Sequence, residues 1–322
     1  MAYDVVALGE LLIDFTQNGL SEQGNQLFEA NPGGAPCNVL SMLCRFGHTT
    51  AFIGKVGDDM FGKMLASTIT SCGISDEALL FDPEVNTTLA FVHKLASGDR
   101  DFSFYRNPGA DMMLRADEVP EQLIAEAKVF HFGSLSMTSP QCVQATQKAL
   151  SVAEKNGVLR SFDPNLRPPL WRSLEEAKAM IRYGLAHCDV LKISDNEIQW
   201  LTGEEDYTAG VEKIREVHSI PLILVSMGPH GSRAYTEHIM VEQPARLTSD
   251  TVETTGAGDA FCACVLHDVL ENGLVQLTEE RLSGMLRAAN VAASLVTTRR
   301  GALRVMPTVD EIFTVLHSIT VS

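Results

Sequence analysis

The chain of 322 residues is longer than the roughly 250–300 residues at which one hydrophobic core stops growing, which predicts one large domain with a smaller appendage. A composition of 45% hydrophobic and 20% charged residues is typical of a globular protein and argues against a disordered or membrane-embedded chain. The formal net charge of −16 argues against nucleic acid or an anionic membrane surface as a partner.

Two features of the sequence predict a cytoplasmic protein. Met1–Asp4 leads directly into an apolar segment without the basic start of a signal peptide, and no apolar run approaches the length of a membrane span. The seven cysteines, an odd number scattered through apolar segments, are typical of reduced buried thiols rather than of a disulfide framework.

The N-terminal segment predicts a buried strand followed by a carboxylate in an unusual place. Val5–Leu8 is a short apolar run that Gly9 closes. Asp14 lies inside the apolar segment Leu11–Phe15, and because burying an unpaired carboxylate is costly, we expect it to face a cavity or a partner. A polyol would supply hydroxyl donors to it. A solvated edge-strand position explains the same pattern without a ligand.

A small-residue turn comes next and leads into a helix. Asn31–Asn38 predicts this turn, and the apolar periodic stretch after it ends at Gly47. Gly33 and Gly34 would let a ligand reach the main chain, while Asn38 offers both a donor and an acceptor. The composition of the turn also fits a purely structural role. The following segment, 50–59, predicts a strand, a turn and a helix N-cap.

Residues 88–105 interrupt this order with a predicted hairpin. Apolar residues alternate on both sides of the turn Ser97-Gly98-Asp99. Within an α/β chain such a hairpin suggests a β appendage that covers a site, and its spare apolar face is equally a candidate dimer surface. Arg106 follows directly and can contact substrate or phosphate through its planar guanidinium. The alternative is a surface arginine at the end of the hairpin.

From residue 129 onward, strands and helices alternate regularly. The predicted strands are Val129–Phe132, Val158–Phe162, Val190–Ile193 and Pro221–Val225, and the predicted helices are Gln141–Ala153, Glu175–His187 and one starting at Ser194–Glu197. Repeated right-handed units of this kind predict a mostly parallel sheet that is covered on both faces. Asp163–Pro169 places polar residues at the carboxyl end of a strand, where open α/β sheets bind ligands. Ser226–Gly231 is a further glycine turn.

The segment Thr254–Phe261 predicts an anion site at the start of an amphipathic helix that ends at Asn272-Gly273. Gly256, Ala257 and Gly258 leave the backbone accessible, and the first N–H groups of a helix favour a negatively charged oxygen. Asp259 would then be a carboxylate at the mouth of this site, able to accept a proton from a substrate hydroxyl. An acid that only complements the helix dipole explains Asp259 equally well.

Taken together, these motifs resemble a known family. Gly33-Gly34-Ala35-Pro36 with Asn38, and Thr255-Gly256-Ala257-Gly258-Asp259, resemble the two signatures of the ribokinase-like (PfkB) carbohydrate kinases. The chain is similar to the fructokinases of that family in Gly9–Phe15, Phe52–Asp59, Phe104–Pro108 with Ala110-Asp111-Met112, and Asp163–Arg167. The similarity extends to Arg300-Gly301-Ala302, and so many ordered matches are hard to produce by chance.

The resemblance implies an architecture and an activity. The fold would be α/β, a ribokinase-like three-layer sandwich with a mostly parallel central sheet and a small β-sheet lid. Residues 1–322 would form a single kinase domain, with the lid contributed by about 11–31 and 86–106. A homodimer through the lid is an expectation that comes from the spare apolar face of the hairpin and not from the resemblance. The activity would be ATP-dependent phosphorylation of a sugar hydroxyl, with D-fructose to D-fructose 6-phosphate as the leading expectation.

The resemblance also implies site residues. Asp259 would be the general base, with Gly256, Ala257 and Gly258 as the anion hole. The sugar would be bound by Asp14, Gly33, Gly34, Asn38, Arg106, Arg167 and Asp259. ATP would be bound by Lys192, Glu197, Ser226, Gly228, Gly231, Gly256, Gly258 and Asn290. Glu197 would act on Mg²⁺ through water, and Glu253 is a candidate ligand for a monovalent cation such as K⁺.

The chain departs from the family pattern at Ser194, where the family usually has asparagine, and at Glu253, where aspartate is common. These departures concern the metal–phosphate network and the monovalent-cation site. Two alternatives remain open at this point. One is a kinase for another small sugar (2-keto-3-deoxygluconate or ribose) or a nucleoside, and the other is a catalytically silent relative that serves as a binding or regulatory protein.

Overall fold

The fold contains a large β-sheet with helices on both faces and a separate small β-sheet. The structure is a computed structural model that describes residues 2–94 and 100–320, so the predicted turn Ser97-Gly98-Asp99 lies outside the described residues. The strands are β1 Val5–Leu8, β2 Leu12–Leu20, β3 Gln26–Gly33, β4 Thr50–Gly57, β5 Ile74–Asp82, β6 Leu89–Lys94, β7 Arg100–Tyr105, β8 Val129–Gly133, β9 Leu159–Asp163, β10 Val190–Ser194, β11 Leu222–Ser226, β12 Ser232–Tyr235 and β13 Met240–Gln243. The helices are α1 Ala35–Arg45, α2 Met60–Ser71, α3 Glu121–Ala125, α4 Pro140–Lys155, α5 Leu174–Ala186, α6 Asp195–Thr202, α7 Tyr207–Arg215, α8 Ala257–Asn272, α9 Glu279–Thr297 and α10 Val309–Thr320.

The large sheet confirms the predicted mostly parallel arrangement. It has nine strands in the order β13-β12-β11-β10-β9-β8-β1-β4-β5. The pairs from β11 to β5 are parallel, whereas β12 and β13 pair antiparallel at one edge. The carboxyl ends of the parallel strands therefore meet at one edge of the sheet, which is where ligands bind in this class of fold.

Alternation along the central strands produces a three-layer sandwich. In β1, Val5 and Ala7 belong to one buried cluster and Val6 and Leu8 to the other, because successive side chains of a strand point to opposite faces. The first cluster contains side chains of α1, α2, α8, α9 and α10, and the second contains side chains of α3 to α7. The α/β sandwich implied by the resemblance is thus confirmed.

The small sheet has four strands in the order β3-β2-β6-β7, and β6 and β7 form the predicted antiparallel hairpin. One face of this sheet carries Asp14, Thr16, Val92 and Phe104 and lines a cavity. The opposite face carries aromatic rings, with Phe15 and Phe91 stacked at 4.8 Å between centroids. The sheet is therefore apolar on its outer side and lines a cavity on its inner side.

The prediction of a turn at Asn31–Asn38 was wrong except at Gly34, because Ala35 to Asn38 already belong to α1. Asn31, Pro32 and Gly33 belong to β3, where antiparallel pairing with β2 continues to the Leu12–Gly33 pair. Only Gly34 remains between this strand and α1. The strong pairing of the two strands decides the conformation here, although the local composition favours a turn.

Strands β5, β12 and β13 and helices α3, α7 and α10 were not predicted. Of these, α3, β12 and β13 have only four or five residues each, which is too few for a clear pattern. All seven cysteines are free, as expected for reduced thiols. Among the helices in the described part of the chain, none combines the length and the apolar character needed to cross a membrane.

Candidate active site

A cavity of about 580 Å³ lies between the small sheet and the carboxyl edge of the large sheet. The elements that meet there are β2, the starts of α1 and α8, and the loop after β9. The cavity is lined by polar side chains that include Glu10, Asp14, Asn38, Asn165 and Asp259. Its volume is within the range of roughly 300–1,000 Å³ that is usual for small-molecule sites.

Helix α8 begins at this cavity with the predicted small-residue turn. Gly256 has a left-handed φ of 80°, which glycine adopts without steric cost. Of the three amides predicted to form the anion site, that of Ala257 already has a partner. Its N–H donates to the Thr254 carbonyl oxygen at 3.3 Å. The N–H groups of Gly258 and Asp259 have no carbonyl partner within the helix, because the first turn of a helix lacks one.

Asp259 lies in the first turn of α8 and is held by Asn38. The Asn38 Nδ2 group donates to Asp259 Oδ2 at 2.8 Å, and both side chains are buried. Burial raises the pKa of Asp259, although the Asn38 hydrogen bond and the charges of Lys192 and Arg167 oppose the rise. Asp259 is thus a carboxyl group of raised basicity at a helix N-terminus, facing a cavity.

Asp14 and Glu10 are two further carboxyl groups of the cavity. Burial raises the pKa of Asp14 to about 7, with a further contribution from Glu253 and an opposing one from Arg167. Burial also raises the pKa of Glu10 to about 7, although Glu10 Oε1 accepts a hydrogen bond from the Ala35 N–H at 2.9 Å. Ionised Asp14 would accept hydrogen bonds from a polyol.

Gly33 and Gly34 position the backbone beside these carboxyl groups. A Cβ atom on Gly33 would lie 2.5 Å from Asp14 Oδ2, and one on Gly34 would lie 2.3 Å from the Glu10 carbonyl oxygen. Gly34 also has a φ of 133°, a backbone conformation that residues other than glycine rarely adopt. Glycine is thus required at position 34 both by contact and by conformation.

Two basic side chains lie close to the α8 turn. Lys192 is buried below it, with Nζ 3.0 Å from Asp163 Oδ2 and 3.1 Å from the position of a Cβ on Gly258. Burial lowers the pKa of Lys192, but Asp163, Glu197 and Asp259 outweigh burial and raise it, so the ammonium group stays charged. Arg167 is exposed at the rim of the cavity, where its Nη1 donates to the Leu166 carbonyl oxygen at 3.1 Å.

A second cavity, of about 330 Å³, lies on the other side of the α8 turn. Thr254 and Gly258 line both cavities, so the two spaces meet at the start of α8. The predicted nucleotide residues Ser226, Gly228, Gly231 and Asn290 all line this second space. Asn290 is fixed by Nδ2 donating to the Pro244 carbonyl oxygen at 3.0 Å and Oδ1 accepting from Ser232 Oγ at 2.9 Å.

Comparison with known proteins identifies the family to which this geometry belongs. The sequence profile of the family described as pfkB family carbohydrate kinase matches residues 2–309. The chain belongs to the pfkB family of carbohydrate kinases. This pfkB kinase is therefore an enzyme that phosphorylates a sugar, which confirms the family and the activity class implied by the resemblance.

Individual relatives agree with this assignment. The chain is 43% identical over 308 residues to the probable fructokinase-2 of Arabidopsis thaliana, covering 94% of this chain and 93% of that protein. It is similar to the structure of a Xylella fastidiosa fructokinase with bound ATP, with a TM-score of 0.89, 29% identity and 99% coverage of each chain. A Vibrio cholerae O395 fructokinase bound to fructose, ADP and calcium has a TM-score of 0.86 and 29% identity, covering 97% of this chain and 98% of that one.

The two predicted metal residues of this pfkB kinase have well-defined surroundings. Glu197 accepts from Leu166 N–H at 2.7 Å through Oε1 and from Ser194 N–H at 2.9 Å through Oε2. Glu253 accepts from Thr255 Oγ1 at 2.7 Å through Oε1 and from Gly301 N–H at 3.2 Å through Oε2. Glu253 lines the first cavity, and Glu197 lies at the start of α6.

Arg106 does not reach the cavity wall. Its guanidinium is buried in an ion pair with Asp111, with Nη2 to Oδ2 at 2.7 Å, and its Nη1 donates to Thr138 Oγ1 at 2.8 Å. The sequence predicted a substrate contact or a surface arginine, whereas the structure gives Arg106 a buried ion pair that joins the end of β7 to the segment before α4. A direct contact with substrate stays a prediction.

The sequence predicted a ligand-binding place for the segment Asp163–Pro169 without giving Asp163 or Asn165 a role, and it predicted no role for Glu10. Glu10 follows β1, Asp163 ends β9 and Asn165 comes two residues later, so all three lie at the carboxyl edge of the sheet. Asn165 has a left-handed φ of 45° and its side chain hydrogen-bonds Asp259, which lowers the pKa of that carboxyl group. The same signal, a position just after a predicted strand, could have identified Glu10.

Proposed function

We propose that this kinase transfers the terminal phosphate of ATP to a hydroxyl group of D-fructose, giving D-fructose 6-phosphate. The observation that supports this reaction is the meeting of two cavities at the start of α8, where Asp259 lies. With a sugar in the first cavity and a nucleotide in the second, a sugar hydroxyl group and the terminal phosphate of the nucleotide would approach each other beside Thr254 and Gly258. Two similar structures support the choice of substrates. The fructokinase from Xylella fastidiosa binds ATP, and the one from Vibrio cholerae O395 binds fructose and ADP.

The first cavity has the donor and acceptor set of a polyol site. Asp14, Asn38 and Asp259 offer oxygen acceptors to sugar hydroxyl groups, with the backbone at Gly33 and Gly34 close to the ligand. The Asn38 Oδ1 atom is buried and has no hydrogen-bond partner within the described part of the chain. Because a buried acceptor without a partner is costly, a sugar hydroxyl donating to Asn38 Oδ1 would stabilise the complex. Arg167 at the rim is proposed to contact the sugar from outside.

Asp259 is the proposed general base. Its carboxylate would accept the proton of the attacking hydroxyl while the oxygen of that hydroxyl bonds to phosphorus. Asn38 holds the carboxylate in place through a 2.8 Å hydrogen bond, and the raised pKa of Asp259 makes it a better proton acceptor. Negative charge on the transferring phosphoryl group would be stabilised by the N-terminus of α8 at Gly256, Ala257 and Gly258, with Lys192 beneath it. The Ala257 N–H would have to leave the Thr254 carbonyl oxygen, to which it donates at 3.3 Å, in order to contribute.

The second cavity is the proposed ATP site, with Ser226, Gly228, Gly231 and Asn290 in its wall. The surroundings of Glu197 fit an indirect role in Mg²⁺ binding. Its two oxygens already accept hydrogen bonds that fix the carboxylate, so it would hold waters of Mg²⁺, an ion that usually keeps several of them. Glu253 as a ligand of K⁺ stays a prediction.

Three broader proposals concern the whole protein. We propose that residues 1–322 work as one kinase domain with a lid from about 11–31 and 86–106, that two copies associate through the outer face of the lid, and that the enzyme acts in the cytoplasm. The outer face supports the dimer because Phe28 and Tyr105 are 37% and 66% exposed there. Exposed apolar patches commonly mark protein–protein contacts.

A coupled ADP-release assay across fructose, glucose, ribose, tagatose, 2-keto-3-deoxygluconate and adenosine tests the proposed substrate. We expect the highest kcat/KM with fructose. A higher value with one of the other sugars or with adenosine would overturn the specificity while leaving phosphoryl transfer in place. Absence of ADP release with every compound would indicate a catalytically silent binding protein.

A further inference from the structure

Two histidines and a glutamate converge at the end of α8 that lies far from Asp259. His48 follows α1, whereas His267 and Glu271 are four residues apart on α8 and share one face of that helix. His48 Nε2 and His267 Nδ1 are 2.8 Å apart. One ligand atom from each of the three residues lies within 4.8 Å of the other two.

We propose that this cluster binds a divalent first-row transition ion of the zinc class through His48 Nε2, His267 Nδ1 and the Glu271 carboxylate. Two imidazoles and one carboxylate are a donor set that suits Zn²⁺, with water as the fourth ligand. Zinc–nitrogen bonds of about 2.0–2.1 Å in a tetrahedral site place two ring nitrogens roughly 3.3 Å apart. The two rings must therefore separate by about 0.5 Å when the ion enters.

The rings are held in orientations that suit such a site. The ring of His267 stacks on Phe46 with centroids 4.3 Å apart and an interplanar angle of 1°. His48 Nδ1 lies 3.8 Å from Asp4 Oδ2, which is too long for a hydrogen bond, so a small movement of the ring would be needed for Asp4 to accept from the nitrogen that would not bind the ion. Asp4 in turn accepts from Thr49 N–H at 2.9 Å and pairs with Lys128 at 2.8 Å. A carboxylate behind a metal-binding imidazole is a common way of fixing its tautomer.

Electrostatics at this place also favours a cation. The C-terminal end of a helix carries a partial negative charge, and Glu271 adds a full one in the last turn of α8, which ends at Asn272. Arg281 already brings one positive charge to this helix end, where it pairs with Asp268 and donates to the Gly273 carbonyl oxygen at 2.7 Å. A bound divalent ion would add positive charge beside Glu271, which also interacts favourably with the helix end.

The site would connect the far ends of the two helices whose first turns form the active site. Asn38 near the start of α1 and Asp259 near the start of α8 are joined by a hydrogen bond at the cavity. His48 and His267 lie beyond or near the opposite ends of the same helices. The ion would thus fix the loop after α1 to α8, a structural role that does not depend on which sugar the enzyme phosphorylates.

Cobalt(II) absorption spectroscopy on untagged, chelator-treated protein without ATP tests the proposal. We expect one equivalent of Co²⁺ per chain to give the visible bands of a tetrahedral nitrogen–oxygen site, and Zn²⁺ to displace it. Bands of thiolate-to-cobalt charge transfer would overturn the proposal, because they would assign the ion to cysteine.

Variants at the three proposed ligands test whether this cluster binds the ion. Glu271→Gln, His48→Gln and His267→Gln should each weaken binding by at least ~10-fold, since changes even to outer-shell partners of a metal cost about 10–100-fold in affinity. His238→Gln, at a histidine whose side chain is 81% exposed, is the matched control and should bind as the wild type does. Equal binding by all variants, or no stoichiometric binding by the wild type, would leave a plain hydrogen-bonded histidine pair and refute the site.

A thermal measurement gives an independent readout. Zn²⁺ at ~100 times its Kd should raise the Tm of the wild type by about 4 °C, because an ion that binds only the folded state stabilises it. Glu271 is exposed, so Glu271→Gln should fold normally and lose this rise. A Tm rise that persists in Glu271→Gln contradicts the proposed ligand set.

Discussion

At the scale of single residues, the chemistry proposed for this kinase depends on Asp259 and on the side chain that holds it. An acidic residue in the first turn of a helix stabilises the helix through its dipole whether or not it has a catalytic role. Asp259 differs from such residues because it is buried, bonded to Asn38 and placed where two cavities meet. These contacts favour the role of a base over that of a dipole-matched acid.

Replacing Asp259 with Asn should lower kcat by about 10²–10⁴-fold, the usual contribution of a general base, while the Kd for ATP changes little. Steady-state kinetics and calorimetric titration with ATP measure the two quantities. The matched control is Asp310→Asn, which removes an exposed acid in the first turn of α10. If Asp259 served only the helix dipole, both variants would retain near-normal kcat.

Asp14 should make sugar binding depend on pH. Its pKa is raised to about 7 by burial, so its carboxylate is present above that value and is lost as the pH falls through it. Because only the carboxylate accepts two donors from sugar hydroxyls, kcat/KM for fructose should fall as the pH drops below about 7. Asp14→Asn should make this fall shallower and lower kcat/KM at pH 8 by about 10- to 100-fold, as the loss of a hydrogen bond to a charged group costs about 1.5–3 kcal/mol.

Rate profiles between pH 5.5 and 8.5 measure the effect of Asp14. Glu29→Gln, at an exposed carboxylate of the same small sheet, is the control and should keep the wild-type profile. An Asp14→Asn profile parallel to that of the wild type would assign the pH dependence to another group.

At the scale of elements, the start of α6 links helix stability to the proposed metal site. Ser194 and Glu197 form a capping box, in which Ser194 Oγ accepts from the Glu197 N–H and Glu197 Oε2 accepts from the Ser194 N–H. Ser194 Oγ also donates to Glu197 Oε2 at 2.8 Å. The residue that departs from the family pattern therefore caps the helix and orients the carboxylate.

Ser194→Ala should lower the free energy of unfolding by about 0.5–2 kcal/mol and raise the Mg²⁺ concentration for half-maximal rate by about 10-fold. Ser173→Ala is the matched control, because Ser173 caps α5 by accepting from the Glu176 N–H at 3.1 Å at an exposed place. It should cost similar stability and leave the Mg²⁺ dependence unchanged. An equal Mg²⁺ dependence of the rate in both variants would show that Glu197 has no role in Mg²⁺ binding.

At the scale of the whole molecule, the small sheet has two different faces and thus two roles. Asp14 and Phe104 face the cavity, while Phe91 contacts Phe15, Phe28 and Tyr105 on the other side with centroids 4.8, 5.5 and 5.3 Å apart. The face towards the cavity carries Asp14, which can contact a sugar. The aromatic side chains on the opposite face remain partly exposed. A second copy of the chain would bury these aromatic side chains.

Phe28→Glu and Tyr105→Glu should therefore shift the protein from dimer to monomer, because each places a charge in the proposed apolar interface. Sedimentation velocity over a range of micromolar concentrations measures the change. Phe81→Glu, at a phenylalanine of β5 that is 43% exposed, is the control and should leave the dimer intact. A wild-type protein that is monomeric at every concentration would contradict the interface.

Much of the fold was predictable because its signals are local. Apolar runs predicted β1, β4, β8, β9, β10 and β11, and alternating residues predicted the hairpin of β6 and β7. The short strands β12 and β13 gave no comparable signal, since four residues carry little periodicity. The segment Asn31–Gly33 was misread because its turn-forming residues pair with β2, a partner that is distant from the local pattern.

The sequence by itself determined the family, the parallel sheet and the motif residues, because glycine turns and apolar periodicity follow from local backbone and side-chain properties. Only the tertiary structure decided how those residues meet. It joined Asn38 to Asp259, which are 221 positions apart, placed Lys192 under the α8 turn, and enclosed Arg106 in an ion pair instead of the cavity wall. Contacts of this kind depend on the packing of whole elements, which no local pattern of residues contains.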